Sequence, residues 1–170
     1  GGGVYFACAG ELTLNGANLS GNTADSGGAI YAAATSTVAF FSGNMASTAT
    51  QGGALYLAEG AAFNHEEGAL NGSAYVEGNY TINAASSNIS ATSGIYLVNG
   101  EHPLLLKGDT MALSDTQKIQ VYVTNDFLES LIVAGASVDV PASLANFEIV
   151  GIDAVEVIGD DGIQDIVGGV

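Results

Sequence analysis

The chain has 170 residues, enough for one domain with a real core, and carries 18 acidic residues against two basic ones, a formal net charge of −16. With Lys107 and Lys118 as its only bases, it is excluded from binding nucleic acid or an anionic membrane surface, where basic side chains supply most of the attraction. Apolar residues make up 48% of the chain, which argues for a folded core despite the abundance of Ala, Ser, Thr and Gly.

GGGVYF, at 1–6, predicts a short strand with Val4 and Phe6 on one face and Tyr5 on the other. The pattern returns as GGAIYA at 27–32, GGALYL at 52–57, GSAYVE at 72–77, TSGIYL at 92–97 and KIQVYV at 118–123. Tyr5, Tyr31, Tyr56, Tyr75, Tyr96 and Tyr122 therefore share one slot, at spacings of 26, 25, 19, 21 and 26 residues. A repeat of this length predicts a solenoid. Between the tyrosine units, ELTLNG, STVAFFSG, NYTIN and PLLLKG read as further short strands. In TNDFLESLIVAG a helical turn competes with a strand, and almost nothing else reads as a helix longer than two turns.

Short strands, tight turns and a period near 25 predict an all-β fold, a right-handed parallel β-helix of about seven coils. Stacked at the interstrand spacing, seven coils would make a rod about 34 Å long. Residues 1–117 are expected to form coils; 118–170, where the glycine motif is lost, would form terminal coils or a capping or assembly segment of the same domain. The aliphatic neighbours of each tyrosine would line the interior, and the glycines would round the corners. Because the chain opens on a copy of its own repeat, the expectation is a cut through a longer array, with any signal peptide, anchor or partner domain outside it. The chain has no apolar run of about 20 residues, which excludes a membrane span within this segment only.

LSGNTADSGGAIY at 19–31 and FSGNMASTATQGGALY at 41–56 resemble the FxxN and GGA[ILV] repeats of polymorphic outer-membrane proteins and related β-helical surface adhesins. Phe41 and Asn44 match FxxN, whereas the first copy has Leu19 in place of Phe and keeps Asn22; the GGA triplets are Gly27, Gly28, Ala29 and Gly52, Gly53, Ala54. The resemblance is specific over about residues 1–60, weaker to 100 and lost beyond about 125. It implies a secreted or cell-surface protein engaged in adhesion.

The glycines do not read as a phosphate loop, since no GxxxxGK[ST] is present and no base stands nearby. Asn22 and Asn44 are expected to share a turn slot, Asn22 ending a coil before Gly27 and Gly28 turn the corner. His65, beside Glu66 and Glu67, could hold a metal or serve an acid pair but reads as part of a polar loop; His102 reads as a loop residue too. Cys8, the only cysteine, excludes an intrachain disulfide and is expected to be a small buried core residue. No cofactor is expected, except that Asp160, Asp161 and Asp165 offer hard oxygen ligands for calcium at the acidic end. Asn18, Asn71, Asn79 and Asn88 open N-x-[ST] sequons and are candidate glycosylation sites.

The tyrosine column is the leading candidate binding feature: on an outward face, six rings would form a strip able to meet sugars or a neighbouring rod, or would simply stack on one another. The functional expectation is a non-catalytic structural and adhesive segment of a larger secreted or cell-surface protein. Its partners would be a surface receptor or glycan on a host or neighbouring cell, or copies of itself. The alternatives are an extracellular filament or sheath subunit and, with less support, a carbohydrate-active β-helix enzyme, whose acids would have to converge in a groove.

Overall fold

A computed structural model describes residues 1–83, 88–90, 93–107, 118–135, 146–153, 155–160 and 163–169. The first coil comprises β1 (Val4–Phe6), β2 (Gly10–Leu14) and β3 (Ala17–Ser26), and the second β4 (Ile30–Ala32), β5 (Ser36–Phe40) and β6 (Gly43–Gln51). The third runs through β7 (Leu55–Leu57), β8 (Ala62–His65) and β9 (Ala69–Leu70), and the fourth through β10 (Ala74–Val76), β11 (Asn79–Asn83) and β12 (Asn88–Ile89). Then come β13 (Ile95–Leu97), β14 (Leu104–Lys107), β15 (Ile119–Val123), a 3-10 turn at Asn125–Phe127, β16 (Leu131–Gly135), β17 (Phe147–Val150), β18 (Val155–Asp160) and β19 (Ile163–Gly168).

Successive coils stack in parallel, giving a first sheet β1-β4-β7-β10-β13-β15-β17 and a third sheet β12-β9-β6-β3. The second sheet runs in parallel from β2 through β5, β8, β11 and β14 to β16. The fold is thus the parallel β-solenoid that the tyrosine spacing predicts. Seven rungs lie in the first sheet, but the array amounts to about five turns, because the third sheet has only four strands among the described residues. Parallel stacking persists past residue 118, as far as β17 on β15. It ends at β18 and β19, which pair antiparallel with each other, β19 also lying antiparallel on β16.

Strand alternation builds the core from register-aligned columns, one residue per coil. In the first sheet Val4, Ile30, Leu55, Ala74, Ile95, Val121 and Ile149 form one column, flanked across each tyrosine by Phe6, Ala32, Leu57, Val76, Leu97 and Val123. In the second sheet Leu12, Val38, Phe63, Tyr80, Leu104 and Val133 form a third, and Leu14, Phe40, His65, Ile82 and Leu106 a fourth. Most of these side chains are fully buried; Val4, Phe6 and Leu12, with a neighbouring coil on one side only, are half-buried.

The uneven tyrosine spacing has local causes. The first coil exceeds the second by one residue, absorbed in β3 between Ser20 and Thr23 as a bulge containing Gly21 at φ 72°. The step of 19 arises mainly in the third sheet, where β6 spans nine residues but β9 only two. At the corners Gly27 and Gly52 take φ of 64° and 65°, and a Cβ on Gly52 would collide with the Leu55 carbonyl oxygen. The GGA triplets are in register, since Gly28 N–H donates to the Gly52 oxygen and Ala29 N–H to that of Gly53.

The first two coils overturn sequence expectations at Asn22, Asn44 and Cys8. Asn22 and Asn44 do not share a slot: Asn44 pairs with Asn18, while Asn22 falls in the bulge opposite Ser47, so the two FxxN copies are out of register. Asn22 does not end a coil: β3 runs through it to Ser26, a strand hidden from hydropathy because its side chains are small and polar. Cys8 is exposed, because it lies at the corner between β1 and β2, outside the interior alternation.

Candidate interaction surface

On the outer face of the first sheet the six tyrosines pair in register from Tyr5 to Tyr122. Ring centroids are 5.1 Å apart for Tyr5–Tyr31, 4.7 Å for Tyr31–Tyr56, 5.0 Å for Tyr56–Tyr75 and 4.4 Å for Tyr96–Tyr122, all stacked. Between Tyr75 and Tyr96 no ring contact joins the two sections, although the backbones pair in register. The column is therefore a four-ring stack and a two-ring stack.

Local chemistry accounts for the break. In the lower stack the Glu77 carboxylate, at the exit of the next strand, acts on the Tyr56 hydroxyl. Partial burial first, then the neighbouring Glu77 carboxylate, hold the Tyr56 phenol well above its usual range. In the upper stack the rings turn the other way along their strands. A Cβ on Gly94, two residues before Tyr96, would lie 3.3 Å from the Tyr96 ring and 3.1 Å from that of Tyr122, and the Tyr122 hydroxyl donates to Gln120 Oε1 at 2.8 Å. The equivalent positions of the lower stack carry Gly3, Ala29, Ala54 and Ser73, and it is over Gly94 that the two upper rings lie.

Inside each stack the ring faces cover one another, and the strip offers edges and hydroxyls to solvent. Tyr5, at the end of the column, is 63% exposed, and Tyr96, at the break, 39%. These two, with the upper sides of Tyr75 and of Tyr122, which pairs with Val150, are where a ring face is not taken up by a neighbouring tyrosine.

Beside the column, at the corner between the first and second sheets, runs an open groove of about 640 Å³ lined by Glu59, Glu77, Val98, Asn99, Gly100, Glu101, Asp126 and Ser130. It exists because the corner of the fourth coil, Glu77 and Gly78, is shorter than those on either side, at 58–61 and 98–103. Sequence reasoning missed these acids; their signal was that Glu59, Glu77, Glu101 and Asp126 each follow a column tyrosine within five residues.

The other candidates do not converge on this surface. Asp165 lies in β19, where its Oδ1 accepts from Gly135 N–H at 2.9 Å; the side chain of Asp160 and all of Asp161 lie outside the described residues. Among the described residues no three acidic, histidine or cysteine side chains are grouped to hold a metal ion. Asn18, Asn71 and Asn79 are exposed, and Asn71 Nδ2 donates to Asn44 Oδ1 at 2.6 Å; the side chain of Asn88 lies outside the described residues. His102, half-buried, donates from Nδ1 to Asn79 Oδ1 at 3.2 Å.

His65 is not in a polar loop. It ends β8 with its ring 1% exposed in the core, while Glu66 and Glu67 continue into the corner. Among the described residues no helix is long and apolar enough to cross a membrane. Comparison of the chain with protein-family models, with curated proteins and with solved structures finds no match.

Proposed function

We propose that this chain is a structural and adhesive segment of a larger secreted or cell-surface protein, a rod that presents one face to a surface receptor or glycan and performs no catalysis. The tyrosine strip is the observation that carries this reading. Repeated tyrosine on a solvent-facing sheet places hydroxyl donors and apolar edges at a fixed interval along a stiff backbone, and that combination suits polar, partly apolar surfaces such as sugars. The groove acids lie alongside, so a partner on the strip would also meet Glu77. Resemblance of the GGA copies to surface-adhesin repeats points the same way.

A glycan array, followed by adhesion assays on cells bearing any hit, tests the proposal. Binding that weakens at least tenfold in a Tyr31→Ser/Tyr56→Ser/Tyr75→Ser variant supports it; absence of binding across a broad panel and across cell types overturns it. A second reading, a filament or sheath subunit built by rod packing, draws on the same outward tyrosine face, which also suits a neighbouring rod. Electron microscopy separates the two, since ordered fibres favour assembly and isolated rods favour the adhesive arm.

A further inference from the structure

The interior column of Leu14, Phe40, His65, Ile82 and Leu106 contains one ionisable side chain among four hydrocarbons. His65 packs against the Phe40 and Phe63 rings, with centroids at 5.5 and 5.8 Å, and both of its nitrogens are engaged. Nε2 lies 2.6 Å from the Gly68 carbonyl oxygen and Nδ1 2.9 Å from the Tyr80 hydroxyl. A carbonyl can only accept, so the proton resides on Nε2, and Nδ1 must accept from Tyr80. Tyr80 is itself fully buried, in the adjacent column of the next coil. One imidazole therefore ties the tight corner at Gly68, where a Cβ would overlap the Phe40 ring, to the strand above.

A second proton on His65 has no place in this arrangement. It would point at the Tyr80 hydroxyl, force that group to reverse from donor to acceptor, and put a cation into a hydrocarbon core. The groups facing the ring are few. β5 offers Phe40, β11 offers Tyr80, and β8 itself offers Phe63. The nearest charges lie at the exit of β8: Glu67 is exposed, and Glu66 accepts from Asn83 Nδ2 at 2.7 Å with Lys107 Nζ at 4.0 Å.

We propose that His65 is an acid-sensitive tie, and that its protonation opens the third and fourth coils at the Gly68 corner while the coils below stay closed. Independently of that geometry, burial lowers the pKa of His65 from 6.5 to about 4. If the opened corner restores the ordinary value, linkage makes opening about a hundredfold more favourable at pH 4 than at pH 7.

Hydrogen exchange of the intact protein, corrected for intrinsic rates, reads this directly. Between pH 7 and pH 4, amides of residues 62–83 are expected to lose about a hundredfold in protection while first-coil amides bonded to the second coil, in 4–14, hold. His65→Leu, which places in this slot the residue found at 14 and 106, is expected to abolish the local loss. An equal loss in His65→Leu, or one spread evenly over all coils, overturns the proposal. Should His65→Leu fail to fold, imidazole NMR of the unaltered protein decides. The Nε2–H tautomer at pH 7, with ring protonation and loss of protection sharing one midpoint, supports the tie, whereas an Nδ1–H tautomer or protonation near pH 6.5 without opening refutes it.

Discussion

The interior column from Leu14 to Leu106 and the exterior column from Tyr5 to Tyr122 both place one residue per coil, yet the first changes residue at every step and the second never does. Inside, the requirement is volume: Phe40 above Leu14, then His65, then Ile82, each step filled by what its neighbours leave. Outside, every ring stacks on at least one neighbouring ring, so each coil is matched to the next. Residue identity is thus fixed by neighbour matching on the surface and by space filling in the core.

The comparison breaks first at the core. Phe63→Ala, at a fully buried position between Val38 and Tyr80, is expected to cost about 3–5 kcal/mol in chemical denaturation. His65 comes next. With its folded value near 4, below the unfolded 6.5, its contribution is complete above about pH 6.5, declines as pH falls through that window, and is gone below about 4. Relative to His65→Leu, the unaltered protein should lose about 3 kcal/mol between pH 7 and pH 4. Gly52→Ala, forced to hold φ 65° against the Leu55 carbonyl, should cost at least about 2 kcal/mol by the same denaturation measurement.

The smallest effect belongs to the exterior. Tyr31 stacks on two rings and Tyr5 on one, so Tyr31→Ser should cost about 1 kcal/mol more than Tyr5→Ser. Equal costs would mean that stacking does not hold the column.

The first sheet and most of the second were legible in the sequence, because ELTLNG, STVAFFSG, NYTIN and PLLLKG are short apolar-rich runs bounded by turn residues and became β2, β5, β11 and β14. In TNDFLESLIVAG both readings were realised, a 3-10 turn followed by β16. The third sheet was not legible. β3 and β6 bury little beyond Met45 and Ser47, and strands of Asn, Ser, Thr and Ala read as turns. β8 was hidden for the opposite reason: AFNH ends in a residue that scores as polar, and only Tyr80, contributed by the next coil, satisfies it inside. The tyrosine slot itself was plain from spacing, whereas the break between Tyr75 and Tyr96 depends on how the rings turn, and the groove on corner lengths that only the register exposes.

The central claim is the proposal that the tyrosine strip, held together by its own stacking, also serves as a contact surface. Parallel measurement of adhesion and unfolding for Tyr31→Ser/Tyr56→Ser/Tyr75→Ser against the unaltered protein tests it. The account predicts a cooperative unfolding transition retained at lower denaturant, with adhesion reduced at least tenfold; unchanged adhesion in a folded variant would contradict it.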